Sequence, residues 1–520
     1  MITDSLVTQV SAVPAGLPTE EELLSWTDGY FPELAGDNPA TGNRETVPAQ
    51  GDAVSRYDWE HLIDDVLQVP ETEGAAVSQP AGISPTVLSD QEAQAEAGRA
   101  ANIEPIASSR GKDDDIVIGG KNLGQIRSDF PILSEKVNGH DLVWLDNGAT
   151  TQRPWAVIDR LSYYYQHENS NVHRGAHELA ARSTDAYEGA RQTVADFIGA
   201  PSKDNIVFVR GTTEGINLVA QGYVKQYLKP GDEIILTLLE HHANIVPWQM
   251  IAQETGAVLR VVPVDESGQL ILSEYERLFT KRTKFVSATH VSNALGTITP
   301  IYELVQTAHR HGVPILIDGA QSVAHIPVDV SALDADFFVF SGHKIFGPTG
   351  IGAVYGKAEA LAAARPYQGG GNMIRDVTFE RTIYNPAPQK FEAGTGSIAD
   401  AVGLSAALQY LSGIGMAEIA RYEHELTQYA TKELSKIPGL RLFGSALEKA
   451  GVLSFILEGQ DIFSVGERLN QYGIAVRAGH HCAQPILRHF GTEGTVRATL
   501  ALYNSPADVE ALAKALRSLV

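Results

Sequence analysis

The 520-residue chain predicts an α/β protein built on a mostly parallel sheet, with a smaller α+β domain behind it and a long disordered extension in front. Three observations carry this reading. From about residue 121, strand-length apolar runs alternate with helix-length amphipathic stretches. After about residue 400 the pattern changes to long helices with short strands. The first 110 residues are crowded with acid, Pro, Ala and Gly instead.

That leading segment holds 19 Asp/Glu against 4 Arg and no Lys, a net of −15 out of −23 for the whole chain. Apolar islands at 21–34 and 57–69, and a weaker one at 102–107, interrupt it. They are too few to build a core, so they are expected to meet a partner surface. Residues 1–120 are assigned to this extension. Residues 121–400 follow as the large domain, with runs at 206–209, 233–237, 259–262, 284–288, 315–317 and 337–340 as its strands. Residues 121–140 are expected to pack on the small domain, 401–520, which carries helices over 402–437 and strands near 439–443 and 451–457.

Composition narrows the function. A charge of −23 argues against nucleic acid as a partner, because phosphate backbones demand a basic face. No stretch approaches the ~20 apolar residues of a membrane span, and the N-terminus lacks the basic and apolar regions of a secretion signal. A single cysteine excludes an internal disulfide framework. The expectation is a cytoplasmic protein with no membrane partner and no metal site.

The strongest local feature is FFVFSGHKIFGPTG (337–350), where an apolar strand runs straight into Ser341, His343 and Lys344. An ammonium at a buried strand end is costly unless it is paired or chemically committed, and a Schiff base with a carbonyl cofactor commits it. VPILIDGAQS (313–322) delivers Asp318 at another strand end, with Gln321 one turn on. A carboxylate there suits a pyridinium nitrogen, although it could also cap the next helix. VFVRGTTEGIN (207–217) turns from strand to helix through Gly211, Thr212 and Thr213, an arrangement that can hold a phosphate. LEHHANIVPW (239–248) puts His241 after a further strand, where an imidazole could stack on an aromatic ring.

The only cysteine, Cys482, lies in RAGHHCAQP (477–485) between imidazoles and a proline. Locally it reads equally well as a small buried apolar residue or as a thiol nucleophile. The strand-end constellation favours the nucleophile, because it supplies a way to activate a substrate that the thiol could then attack.

Together, RGTTEGIN, EHHANIVPW, HVSNALGT, DGAQS, SGHKIFGPTG and RAGHHCAQP resemble the fold-type I pyridoxal-phosphate enzymes, specifically the group II cysteine desulfurases of the SufS type, from about Asp129 to the C-terminus. The resemblance implies pyridoxal 5'-phosphate held covalently by Lys344, with Asp318 on the ring nitrogen, Gln321 at the phenolic oxygen and His241 stacked on the ring. It also implies that Thr213, Thr212, Ser341 and His343 hold the phosphate, and that Thr395 in FEAGT (391–395) reaches it from the neighbouring subunit of a homodimer. Arg497 would bind the substrate carboxylate beside Asn293, and Arg174 would lie at the mouth. After FEAGT the chain reads Gly-Ser-Ile (396–398) where many relatives continue Pro-Asn, which bears on the dimer contact.

The implied reaction converts L-cysteine to L-alanine and leaves sulfur as a persulfide on Cys482, for a sulfur-acceptor protein, iron–sulfur clusters or storage. Selenocysteine lyase is the alternative with the same fold. The acidic extension resembles, in composition and placement, that of the cargo desulfurases of family 2 encapsulin nanocompartments. That likeness implies docking of residues 1–110 to the inside of a protein shell. A non-functional solubilising tail and a tail that docks a sulfur-acceptor protein are the other readings.

Overall fold

The computed structural model describes residues 115–173 and 175–520; the three apolar islands of the extension and Arg174 lie outside them. Seven strands form the central sheet: β1 (Ile206–Val209), β2 (Glu233–Thr237), β3 (Val258–Val262), β4 (Thr283–Thr289), β5 (Ile315–Asp318), β6 (Phe337–Ser341) and β7 (Gly352–Gly356). Their order is β1-β7-β6-β5-β4-β2-β3. All pairings are parallel except those of β7, which runs against both its neighbours.

Period-two alternation sorts the inner strands onto two covered faces, whereas the edge strand β3 stays largely exposed. Ile206, Phe208, Ile317, Phe338 and Phe340 join one apolar cluster, while Val207, Val209, Leu316, Phe337 and Val339 join the other. Truncating Phe338 or Phe340 to Ala would therefore cost about 3–5 kcal/mol.

The six strands expected from the sequence are present. The seventh, β7, is not among them; its run GAVYG is short and bounded by glycine at both ends. Gly352 is needed there: a Cβ on it would come within 2.7 Å of Gly211 Cα. Two neighbouring strand ends therefore close up only around glycine.

Helices cover the sheet. These include α1 (Trp155–His167), α2 (Glu178–Phe197), α3 (Thr212–Leu218), α4 (Ile398–Ile414) and α5 (Met416–Leu434), and α4 packs on α1 and α2. The helical stretch expected at 402–437 starts earlier and divides at Gly415, whose φ of 102° leaves the helical region. Edge strand β1 is tied in by Glu392. Its Oε1 accepts the Phe208 N–H at 2.8 Å, and its two oxygens take Arg191 at 2.5 and 2.9 Å. Removing Glu392 would strand the buried Arg191 guanidinium, at about 3–5 kcal/mol.

A second sheet is antiparallel, in the order β8-β9-β11-β10, from β8 (Leu440–Phe443), β9 (Val452–Leu457), β10 (Arg477–Gly479) and β11 (Thr495–Thr499). The early segment reaches the C-terminal part of the chain. Arg127 donates to Tyr503 O at 2.6 Å and to Asp508 at 2.9 Å, and Asn138 donates to Asn470 O at 2.7 Å. Among the described residues, no helix is long and apolar enough to cross a membrane.

Candidate active site

Parallel strands put their carboxyl ends along one edge, and that edge is where α/β sheets gather functional groups. β5 ends on Asp318, β6 on Ser341 with His343 and Lys344 next, β1 leads into Thr212 and Thr213, and β2 leads towards His241. A cavity of about 550 Å³ opens there. Asn293, Asp318, Gln321, Lys344, Thr212 and Thr213 line it, as do His241, Ser341, His343, Cys482 and Arg497. Of the residues singled out from the sequence, Thr395 does not. It is exposed, 3.5 Å from Asn171 Nδ2, and borders a separate hollow with Tyr187 and Glu392.

Burial sets the charge states. Lys344 faces the cavity but is walled by protein, and this desolvation brings its ammonium down to about 8, with Asp318 pulling the other way. Burial pushes the Asp318 carboxyl up, opposed by the Ala320 N–H it accepts at 2.9 Å and by Lys344. The helix-capping reading of Asp318 is thus partly realised, since one oxygen caps the turn after β5. His241 is brought down to about 3 by burial and by the Lys344 charge, so its imidazole is neutral. Its Nδ1 accepts the Ala243 N–H at 3.0 Å, which leaves the proton on Nε2. His343 falls to about 4, chiefly through burial.

Behind His241 lies a buried polar network that the sequence did not announce. Glu240 accepts from Thr237 Oγ1 at 2.5 Å, Asn244 Nδ2 at 2.6 Å and Thr289 N at 2.9 Å, and burial raises its carboxyl to about 8. Asn244 Oδ1 in turn accepts from Trp248 and Ser287. This anchors the His241 turn to β2 and β4.

At one end of the cavity, Ser341 Oγ lies 2.9 Å from both Thr212 N and Thr212 Oγ1. With Thr213 and His343 these groups line both this cavity and an adjoining open hollow at the start of α3. Hydroxyls and helix-start amides gathered around a cationic lysine make an anion-binding end.

The other end carries guanidinium. Arg497 and Arg477 stand opposite each other across β11 and β10. Like charges so placed repel, and Asp146 compensates both. It accepts Arg477 through three contacts of 2.9–3.2 Å and Arg497 at 3.3 Å. Arg497 also donates to Asn293 O at 2.9 Å, and burial lowers it to about 10. Its Nε and Asn293 Oδ1 are buried without partners. The sequence reading missed Asp146, although LVWLDNGAT (142–150) places a carboxylate after an apolar run much as 313–322 does.

Cys482 is exposed at the rim. The flanking imidazoles do not both face it. His480 Nδ1 accepts the Cys482 N–H at 3.0 Å, whereas His481 is buried with Nε2 2.7 Å from Thr495 Oγ1. His481 and Cys482 both adopt left-handed backbone, φ 51° and 54°. Asn293 Nδ2 holds His481 O at 2.6 Å, and His242 N holds Cys482 O at 2.7 Å. The thiol thus rides a short loop pinned on both sides, and it is not a buried apolar residue.

The aminotransferase class-V family pattern matches residues 143–512. A cysteine desulfurase of Synechococcus elongatus is 65% identical over 400 residues, covering 77% of this chain and 64% of that relative. One from Pectobacterium atrosepticum is 47% identical over 398 residues, covering 76% of this chain and 98% of the relative. Among solved structures, a cysteine desulfurase of Escherichia coli in its S-sulfonic acid form is similar at TM-score 0.71 and 41% identity, over 76% of this chain and 98% of that one. The apo cysteine desulfurase of Thermococcus onnurineus gives TM-score 0.73 at 39% identity, over 76% and 98%. The chain therefore spans less than two thirds of the Synechococcus relative but nearly all of the Pectobacterium one. The chain belongs to the aminotransferase class-V family, and its fold is that of the fold-type I pyridoxal-phosphate enzymes.

Proposed function

We propose that this chain is a pyridoxal-phosphate-dependent cysteine desulfurase, taking sulfur from L-cysteine as a persulfide on Cys482 and releasing L-alanine. The observation that carries the reading is one cavity lined by Lys344, Asp318, Arg497 and the thiol. The donors fit the cofactor at each end: hydroxyls and amides for a phosphate, a buried carboxylate for a ring nitrogen, and a lysine amine lowered to about 8 for a carbonyl.

When bound, the cofactor supplies a carbonyl for the substrate amine and a ring that absorbs the electron pair released beside it. Thr212, Thr213, Ser341 and His343 would hold the phosphate, and Asp318 would keep a proton on the ring nitrogen. Gln321, whose Nε2 donates to Gly148 O at 2.6 Å, would meet the phenolic oxygen, and neutral His241 would stack on the ring. Arg497 grips the substrate carboxylate beside Asn293, helped by the unpartnered Nε. Lys344, as a free amine, moves the proton at the substrate α-carbon. The Cys482 thiolate then attacks the substrate sulfur: an S–S bond forms, the C–S bond breaks, and its electron pair stays with carbon, which takes up a proton.

The pinned cysteine loop supports discharge to a sulfur-acceptor protein that comes to the rim, because a loop so held has little reach of its own. Thr395, exposed on a neighbouring face, fits a homodimer in which it completes the partner's phosphate site. Residues 1–110 are proposed as the segment that docks the enzyme inside an encapsulin shell. Their acidic, Pro-rich composition supports a tail without a core of its own.

Alanine production and cofactor absorbance, measured together, test the reaction. Cys482→Ala should abolish alanine formation from L-cysteine and keep the visible absorbance; full turnover would end the nucleophile assignment. Selenocysteine cleavage surviving in the same variant would mark the lyase instead. Deleting residues 1–110 should leave the activity and abolish shell loading.

A further inference from the structure

At the rim of the same cavity, the described residues bring together a group of ligand-bearing side chains: His242, His480 and Cys482, with one ligand atom from each, all within 4.8 Å of one another. No spacing in the sequence announces it. His242 follows β2, while His480 and Cys482 follow β10, and the fold alone makes them neighbours. Backbone ties hold the junction, because His242 N donates to Cys482 O at 2.7 Å and the His242 and His480 rings lie 5.7 Å apart, tilted by 32°.

We propose that these three side chains form a binding site for a thiophilic divalent cation of the zinc type, and that occupancy reversibly blocks the Cys482 thiol. Two imidazoles and a thiolate form a borderline-soft donor set that selects zinc-like ions over calcium or magnesium, which prefer oxygen. Tetrahedral zinc, with bonds of about 2.0–2.3 Å, wants its donors roughly 3.5 Å apart, so the cluster needs to contract by only about 1 Å. Side-chain rotation supplies that, since His480 and Cys482 are exposed and His242 is half-buried.

The competing bonds are few. His480 Nδ1 gives up the Cys482 N–H at 3.0 Å, and His242 Nε2 has only a long contact of 3.4 Å from Gln484 N. The guanidinium at the start of β10, Arg477, is already paired with Asp146. Three protein ligands at an open rim leave the fourth position to water, the pattern of an exchangeable rather than a structural ion. On binding, the thiol releases its proton to solvent and its sulfur electron pair goes to the metal. The coordinated sulfur then attacks a substrate, or is alkylated, far more slowly than the free thiolate. The site does not depend on the desulfurase reading, and its test reads binding rather than turnover.

Because Cys482 is the chain's only cysteine, alkylation reports on one sulfur. Iodoacetamide modification of the full-length holoenzyme is followed by mass spectrometry with buffered Zn(II) present or absent, alongside equilibrium dialysis against Zn(II). One zinc per chain and at least tenfold protection of Cys482 are expected. In His242→Gln/His480→Gln, protection should vanish while the cofactor absorbance shows an intact fold. If that absorbance is lost, His480→Gln alone is read in the same way, with at least tenfold weaker protection expected. No protection in the wild type, or equal protection in the variants, overturns the proposal.

Discussion

At the carboxyl ends of β5 and β6, Asp318 is buried and Lys344 is half-buried in the cavity wall, whereas Cys482 sits at an exposed rim with φ 54°. The first pair owes its chemistry to desolvation: burial lowers Lys344 to about 8 and raises Asp318. The thiol owes its place to hydrogen bonds that the Asn293 side-chain amide and the His242 N–H donate to the loop's carbonyls, from two residues far away in sequence. A rigid, dry strand edge can tune a proton. A pinned, wet loop can hold a sulfur where another molecule reaches it.

The sharpest break of this contrast is Lys344→Ala. Turnover should fall by about 10³-fold or more and the cofactor's absorbance should be lost, whereas Cys482→Ala loses only turnover. Identical spectra in the two variants would erase the distinction between the halves. Next, Arg497→Lys removes the guanidinium fork, and kcat/KM for L-cysteine should fall roughly 10²-fold, mostly through KM. A change confined to kcat would move Arg497 out of the binding role.

A smaller effect is expected from Asp146→Asn, which leaves Arg477 and Arg497 facing each other without their shared carboxylate. KM should rise about tenfold, and more at low salt than at high salt, where repulsion is screened. The pH dependence probes the dry half alone. Lys344 is held below its ordinary value, so more of it is free amine as pH rises. The rate at which apoenzyme takes up pyridoxal phosphate should climb with pH and level off above about 8. A plateau reached only near the ordinary lysine value would mean that burial does not set this group.

The mildest change is Thr495→Val, which removes the 2.7 Å partner of His481 and should cost about 1 kcal/mol in stability. Alkylation of Cys482 should quicken while the cofactor spectrum stays the same. A shifted spectrum would show that loop and strand edge are not separable.

The strand-edge half was legible because its signal is local. A buried strand is a continuous apolar run, and a charged residue at or just beyond its end stands out, which marked Lys344 and, although it also caps the following turn, Asp318. Strand β7 was hidden because glycines bound it, yet Gly352 serves its approach to Gly211 and Gly356 its packing on Leu361. Asp146 carried a local signal much like that of Asp318, yet its role depends on two arginines more than 300 residues away. Glu240 and His242 flank His241 in sequence, but one turns inward to a buried network and the other outward to the cysteine loop.

By itself, the sequence determined the α/β class, the strand ends that carry Asp318, Lys344 and Thr212, and the presence of a single thiol, because burial periodicity and residue chemistry are written locally. Only the tertiary structure decided that Asp146 serves two guanidiniums, that His481 turns away from Cys482 while His480 stays, and that His242 joins them. Those facts depend on which distant segments the parallel edge and the second sheet bring within hydrogen-bonding distance, and short-range patterning does not encode that.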